Sequence, residues 1–529
     1  MFDEHIGIRH FSADGEGSDT AGFTFLERYN DGLPPYFNDI AFKITIGPFD
    51  NSAEGTTICL DSAMFGYGGY WLWAYNDGID IYKPPWNGPY FFTISNKITY
   101  SGQLFYTDPV PPTISQEPIR NVTIEMWDND LITDQLLDVT VTENDGSFAF
   151  GPVDNTDDGG LSGQDVYFRI YAANDATTVR EEYDGDIHKI ETPEQPDLPS
   201  GVYDTTIIAD ATASGPFFIA DAALVAQDYW INVTGMYAPL IQIISNNEAY
   251  GTYYDPDSIY IHILNISDNP DTYDKDVIMH EYGHFLEGNY QFFDDWDPGP
   301  HGWFSISTPE IAATEGFATF FSDAVRNDSF YHDLYNNFAD TDSYNAENGQ
   351  DLFNSQINGS ANDYGIKYEG AVCCLLWDIY DYPDDDYSTY QVPPAPWPNA
   401  YNPDGTGDAL YMGAYDIFDV LLNRFIDGHR PHDIIEFWRA WFQSPSKGHG
   451  QEMLDIYYEH GICRLGDANE DGVVNVGDVT YLMNFVFKDG PSPVPMEIGD
   501  TNSDGSINIG DPVYLINFIF KSGTPLCPN

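Results

Sequence analysis

Asp276-Val-Ile-Met-His280-Glu281-Tyr-Gly-His284-Phe-Leu286 decides the reading of this chain. Its apolar residues recur at helical spacing, Asp274 reads as an N-cap and Gly288 as a C-terminal stop, so a helix is expected over 274–287. On that helix His280 and His284 stand one turn apart and project from one face. Two imidazoles so placed can share one Zn²⁺ at about 2.0–2.1 Å each. Glu281 follows the first histidine and can reach the attacking water without being a ligand. A purely structural zinc site has no need of such a carboxylate, so the H-E-x-x-H pattern points to hydrolysis.

Outward from this helix, a strand is expected over 258–264 and a second helix over 309–325, carrying Thr314-Glu-Gly-Phe-Ala-Thr319. Further helices are expected over 219–233, 368–380, 409–425 and 431–442. With the strand they make an α+β catalytic domain of residues 196–462.

These residues resemble the gluzincin metallopeptidases, whose third ligand is a glutamate on a later helix. The resemblance implies Glu315, in Glu315-Gly-Phe-Ala318, as the third zinc ligand and a zincin-like fold with one zinc ion. Glu310 is the competing acid, but it falls in a first helical turn, where carboxylates complement the helix dipole. The resemblance also implies a Tyr or His that steadies the oxyanion. Tyr368, in Lys367-Tyr-Glu-Gly-Ala371, is the candidate, with His429 and His432 as alternatives. The place where related enzymes carry an acid one turn after the third ligand holds Thr319; Asp323 lies two turns on. The strand over 258–264 resembles the edge strand above a gluzincin cleft, to which an extended peptide can add. Residues 291–307 are expected as an extra loop at that cleft.

A repeat closes the chain. Asp467-Ala-Asn-Glu-Asp-Gly-Val-Val-Asn-Val-Gly-Asp478 recurs as Asp500-Thr-Asn-Ser-Asp-Gly-Ser-Ile-Asn-Ile-Gly-Asp511. In EF-hand arithmetic, Asp467, Asn469, Asp471, Asn475 and Asp478 offer side-chain oxygens around Gly472, and Val473 offers a carbonyl. Asp500, Asn502, Asp504, Asn508 and Asp511 do the same around Gly505, with Ser506 as the carbonyl donor. Two calcium ions are therefore expected. An apolar helix follows each loop, and no full entering helix precedes either. This tandem over 463–529 resembles the dockerin type I modules, small paired half EF-hands, and implies a cohesin-like partner. Loop positions 10 and 11 are Val476-Gly477 and Ile509-Gly510, not the Ser/Thr pair common in cellulosomal dockerins. Another surface scaffold, or docking within the same chain, is the alternative. Cys463 and Cys527 bracket the module and are placed to form a disulfide.

The N-terminal part reads as two β-sandwiches. Residues 1–96 alternate apolar and polar over 40–46 and 70–75, with a turn at Asn76-Asp77-Gly78. Their aromatic residues build a core or a surface for carbohydrate or peptide. Residues 97–195 alternate in Val122-Thr-Ile-Glu-Met-Trp127 and Leu137-Asp-Val-Thr-Val-Thr142, and Glu143-Asn-Asp-Gly146 turns into Ser147-Phe-Ala-Phe150. This second sandwich resembles the transthyretin-like and carboxypeptidase-regulatory-like accessory domains. Thr192-Pro-Glu-Gln-Pro-Asp-Leu-Pro199 reads as a linker.

Composition narrows the function. The chain has 529 residues, 42% hydrophobic and 16% aromatic, enough for folded cores. Nineteen basic against 85 acidic residues give a net charge of −66, which repels nucleic acid and anionic membranes. Five cysteines are too few for a disulfide scaffold, and Cys373-Cys374 lies in an apolar helical run. No apolar run approaches the roughly 18 residues of a membrane span. Met-Phe-Asp-Glu-His lacks the features of a signal peptide, so an extracellular, secreted or surface-attached location rests on the modules. The expected function is zinc-dependent hydrolysis of peptide bonds in extracellular proteins, with calcium-dependent docking. The alternatives are an aminopeptidase, and a non-catalytic scaffold-binding protein with a vestigial zinc site.

Overall fold

The computed structural model describes strands at 6–10, 21–25, 57–60, 73–75, 80–82 and 90–93. From residue 96 it describes the chain except 112–113, 131, 157–162, 182–184, 248–250, 266–270, 294–298, 336–337, 339, 348–364, 382–409, 411, 427, 444–446, 463, 522–525 and 527–529. Two compact units are present. One joins Met1–Thr99 with Pro152–Asp165 and Pro196–Val202; the other joins Tyr100–Gly151, Val166–Gln195 and Tyr203–Asn529.

In the first unit the strands pair antiparallel two by two: β1 (Ile6–His10) with β2 (Ala21–Phe25), β3 (Thr57–Leu60) with β6 (Tyr90–Thr93), and β4 (Trp73–Tyr75) with β5 (Asp80–Tyr82). The sandwich expected over 1–96 falls largely outside the described residues.

The second unit opens with two sheets. In one, β9 (Thr123–Asp128) pairs antiparallel with both β10 (Gln135–Val141) and β13 (Val166–Tyr171), and β13 pairs with β15 (Lys189–Glu191). In the other, the long β7 (Lys97–Asp108), which belongs to this unit from Tyr100 on, pairs with β8 (Ser115–Pro118), β11 (Ser147–Ala149) and β16 (Gly201–Ala209); the two-residue β12 (Val153–Asp154) pairs with Lys97 and Ile98, which with it belong to the first unit. Strict alternation buries Tyr100, Leu104 and Tyr106 on one face of β7 and Ile124 and Met126 on one face of β9. The hairpin turn expected at 143–146 forms, with Gly146 at φ 77°.

β14 (Thr177–Arg180) leaves these sheets and pairs in parallel with β17 (Ile241–Asn247). β17 pairs in parallel with β19 (Tyr260–Leu264), and β18 (Tyr253–Asp255) closes that sheet antiparallel to β19. Backbone pairing thus crosses the boundary expected at residue 195. The expected edge strand is corrected: β19 lies inside the sheet and β18 forms its edge.

Helices then build the centre. α1 (Gly215–Thr234), α2 (Lys275–Tyr290), α3 (Pro309–Arg326), α4 (Glu369–Tyr380), α5 (Gly413–Asn423), α6 (Ile434–Phe442) and α7 (Gly450–Glu459) follow in order, with the hairpin β20 (Phe330–Tyr335) and β21 (Asp340–Asn345) after α3. All six expected helices form, and α7 is added. Phe285, Leu286, Phe317, Phe320, Phe321 and Leu375 are fully buried. Each such side chain contributes about 1.5–3 kcal/mol when removed from water. Two glycines let these helices approach. A Cβ on Gly283 of α2 would lie 3.1 Å from Ala318 Cα on α3, and one on Gly316 of α3 would lie 2.5 Å from the Glu369 carbonyl oxygen on α4.

The last module carries α8 (Val476–Lys488) and α9 (Gly510–Lys521) over a small core of Ala468, Val479, Leu482, Leu515 and Leu526. Cys463 and Cys527 lie outside the described residues; Cys373 and Cys374 are buried free thiols. Among the described residues no helix is long and apolar enough to cross a membrane.

Candidate metal centre

The Asp274 side chain caps α2, accepting from the backbone N–H groups of Asp276 and Val277. Its other oxygen accepts from Leu334 N at 2.7 Å, and Asp276 Oδ2 accepts from His332 N at 2.6 Å. Two carboxylates therefore fasten β20 to the start of α2. Arg326 completes the joint, with Nε 2.9 Å from Asp276 Oδ1 and Nη2 2.7 Å from Asp323 Oδ1. Asp323, weighed as a partner of the histidines, is committed instead to Arg326 and to the Cys373 thiol.

On this fixed helix the Nε2 atoms of His280 and His284 stand 3.0 Å apart. Glu315, presented by α3, brings Oε2 to 3.1 Å from His284 Nε2 and 3.3 Å from His280 Nε2. Donors about 2.05 Å from a shared tetrahedral ion stand about 3.3 Å apart, so the donor set and its spacing fit one zinc ion. The three side chains are at most 13% exposed. Burial would raise the Glu315 carboxyl, but His284 and His280 hold it well below the usual carboxylate range. Glu310 remains in the first turn of α3, outside this group.

The outer nitrogens are also occupied. His280 Nδ1 lies 3.1 Å from Thr319 Oγ1, so the threonine that stands one turn after Glu315 serves as its partner. His284 Nδ1 lies 3.3 Å from Oε2 of the buried Glu287. Glu281 is buried; burial raises its pKa against the pull of His280 and His284, and the Tyr254 backbone on edge strand β18 hydrogen-bonds to it. A carboxyl with a raised pKa beside two imidazoles is suited to take and return a proton.

Tyr368 occupies the N-cap position of α4 and is 8% exposed. His429 and His432 gather around Glu436 instead, in a group that shares no residue with the centre. Sequence reasoning missed two neighbours. His301, half-exposed in the expected cleft loop, lies 3.5 Å from Glu315 Oε2 and 3.1 Å from Glu369 Oε2; Glu369 also accepts from Gly302 N at 3.0 Å. The Glu369 hydrogen bond raises the His301 pKa. The Tyr331 ring of β20 stands edge-on to His280 at 5.9 Å. Only the position of His301 in a loop rich in aromatic and acidic residues hinted at the first; nothing local marked Tyr331.

In the terminal module both loops close alike. Asp467 accepts from Asp471 N and Gly472 N, and Asp500 from Asp504 N and Gly505 N. Asp478 accepts from Asn469 N and Asn475 N, and Asp511 from Asn502 N and Asn508 N. Gly472 and Gly505 adopt φ 85° and 84°, a left-handed turn that glycine makes without strain. Asp471 N also donates to Asn469 Oδ1, and Asp504 N to Asn502 Oδ1. The Val473 and Ser506 carbonyls each accept from an asparagine amide within the loop.

Residues 239–402 match the family described as Mycolysin C-terminal domain, and residues 465–521 match the Dockerin type I domain. The chain is thus multidomain, with a segment similar to a metallopeptidase family and a docking module of a calcium-binding kind. No curated protein matches it. Among solved structures, a 9R-lipoxygenase from Cyanothece PCC8801 is 14% identical with a TM-score of 0.17, over 44% of this chain and 25% of that one. An (S)-allantoin synthase is 12% identical with a TM-score of 0.15, over 22% and 40%. The chain thus spans well under half the length of either, and at these scores neither fold nor activity transfers.

Proposed function

We propose that this chain is a secreted zinc-dependent endopeptidase that cleaves extracellular proteins and is positioned by a calcium-loaded docking module. The observation that carries the reading is the convergence of His280 Nε2, His284 Nε2 and Glu315 Oε2 within 3.0–3.3 Å, beside a buried glutamate outside that set. When bound there, zinc supplies a Lewis acid and lowers the pKa of water toward about 7.

The chain's own groups would do the rest. Glu281 takes the proton of the attacking water and returns it to the leaving amine. Glu287 and Thr319 hold the two imidazoles by their outer nitrogens. An oxyanion donor is required as well; Tyr368 is the sequence's candidate, and His301, oriented by Glu369, is the candidate nearest the three donors. Edge strand β18, whose Tyr254 backbone touches Glu281, offers main-chain hydrogen bonds to an extended substrate.

The domain reading that accompanies this is 1–96, 97–195, 196–462 and 463–529: two sandwiches, a zincin-like domain and a dockerin-like module. The last holds two calcium ions, through Asp467, Asn469, Asp471, Val473, Asn475 and Asp478, and through Asp500, Asn502, Asp504, Ser506, Asn508 and Asp511. Its partner is a cohesin-like module or another surface scaffold.

The test is cleavage of an unfolded protein by the zinc-loaded chain, after chelation, and after zinc is restored, with Glu281→Gln alongside. Chelation should abolish cleavage, zinc should restore it, and the variant should lose it. Equal cleavage by wild type and variant overturns the mechanism.

A further inference from the structure

His429, His432 and Glu436 form a second group of metal-ligating side chains outside the centre described above, with one donor atom from each within 4.8 Å of the others. Their chain positions are tightly held. Ile426 N donates to His429 O at 2.7 Å and His429 N returns a bond to Ile426 O at 3.0 Å, around a turn in which Gly428 takes φ 98°. The Asp433 side chain caps α6 by accepting from Ile435 N and Glu436 N, which occupies Asp433 and fixes Glu436 in the first turn. Glu436 Oε2 then accepts from His432 N at 2.9 Å.

The imidazoles stack face to face, with ring centroids 4.1 Å apart and planes 4° apart. Both present Nδ1 to the same carboxylate oxygen, at 3.7 Å for His429 and 3.4 Å for His432. Helix capping explains the bond to the His432 backbone. It does not explain two imidazoles gathered over one carboxylate.

His429 Nδ1 lies 2.7 Å from the Arg430 carbonyl oxygen. A carbonyl only accepts, so Nδ1 carries the proton and Nε2 keeps its lone pair. A backbone carbonyl setting the tautomer in this way is the usual support of a metal-bound histidine. On the other side of the carboxylate, Arg439 Nη1 stands 3.9 Å from Glu436 Oε1, leaving Oε2 turned toward the rings.

We propose that His429, His432 and Glu436 bind a second divalent cation of the zinc, nickel or copper class, independent of the peptidase centre. Two imidazoles and one carboxylate favour such ions over calcium. The three side chains are 31%, 36% and 20% exposed, so water can complete the coordination sphere. Parallel rings do not converge on one ion as they stand, and His429 faces Glu436 with its protonated Nδ1, so Nε2 is the atom it offers an ion. His432 must turn about its side-chain bonds, and since it precedes the N-cap it can do so with α6 in place. The ion then ties the turn at 426–429 to the start of α6, a structural role that touches neither Glu281 nor its ligands.

The test is the zinc content of full-length protein after equilibration with zinc and gel filtration in a weak chelator. His432→Gln should lose one equivalent per chain relative to wild type, lose the zinc-dependent part of its thermal midpoint, and keep its proteolysis. Should His432→Gln fail to fold in chelator, His429→Gln carries the same readout. Zinc content equal to wild type in the folded variants overturns the proposal. The difference of one equivalent is expected even if Glu281→Gln cleaves like wild type, so this site and the peptidase reading fail separately.

Discussion

Glu287 Oε2 lies 3.3 Å from Nδ1 of His284, less than one turn further along the same helix, and the Glu287 side chain is only 2% exposed. Burial pushes the Glu287 carboxyl up in pKa, while His284 pulls it down. A buried acid is costly unless it is paired. Here its pairing orients an imidazole whose opposite nitrogen faces His280 and Glu315. Glu287→Gln keeps the size but removes the charge. It should weaken zinc binding by about 10–100-fold, the usual effect of losing such a supporting partner. Zinc retention against a graded chelator series measures this. Retention equal to wild type would mean that Glu287 does not support the ligand.

Gly316 explains the glycine in the Glu-Gly-Phe-Ala string. A Cβ there would lie 2.5 Å from the Glu369 carbonyl oxygen and 2.7 Å from Val372 Cβ. Neither is the far end of a flexible side chain, so α3 and α4 must part. Gly316→Ala should cost about 1–3 kcal/mol, as overpacking usually does. It also shifts Glu315, the neighbouring residue, so zinc retention should fall together with the denaturant midpoint. An unchanged midpoint would show that the helices accommodate the methyl group.

The pH dependence has a specific source. Asp271 is 4% exposed, and burial pushes its carboxyl up to about 7, helped by Asp333 and Glu281 and opposed by the Thr252 hydroxyl. Its raised pKa contributes stability that is fully present below the unfolded value near 3.8. That contribution is lost as pH rises through about 7, because the folded state then holds an ionised carboxylate away from water. Between these limits, the Asp271 contribution to unfolding free energy should fall as pH rises. Asp271→Asn should flatten that slope and make the protein more stable than wild type above neutral pH. Denaturant titrations from pH 5 to pH 8 decide it; parallel wild-type and variant curves would assign the slope elsewhere.

The ligand helix was legible because its chemistry is local. Histidines at i and i+4 share a face wherever the helix lies, and the capping aspartate precedes them. Gly288 misled for a physical reason. It looks like a helix stop, yet α2 runs through it to Tyr290 and ends at Gln291 in the left-handed conformation. A Cβ on Gly288 would lie 3.0 Å from the Tyr254 ring, so the glycine serves close packing of β18 on α2. β18 itself has three residues, too few to show a period, and the edge of the sheet was therefore assigned to β19. His301 and Tyr331 reach the centre from a loop and a hairpin whose positions depend on tertiary packing. The two calcium-type loops were legible because each is a self-contained repeat whose turns close within it.

Those loops give the last expectation. In the first, Asp467, Asp471 and Asp478 crowd one turn, and burial together with Asp467 and Asp471 raises the pKa of Asp478. The second repeats this, with burial raising Asp511 and Asp500 and Asp504 adding to it. The module's apolar core is small, so this repulsion opposes much of the stabilisation that the core supplies. Calcium bound to the folded loops, as proposed above, would stabilise them by mass action. Chelation should therefore release the module's helices while leaving the zinc-loaded peptidase centre active. Asp467→Ala with Asp500→Ala should reproduce that state in the presence of calcium, because each aspartate accepts two backbone N–H groups of its own loop and offers the first oxygen of the calcium pattern. Calorimetric calcium titration and amide exchange over 463–529 measure the effect. Calcium affinity unchanged in the double variant would remove these loops as the calcium sites.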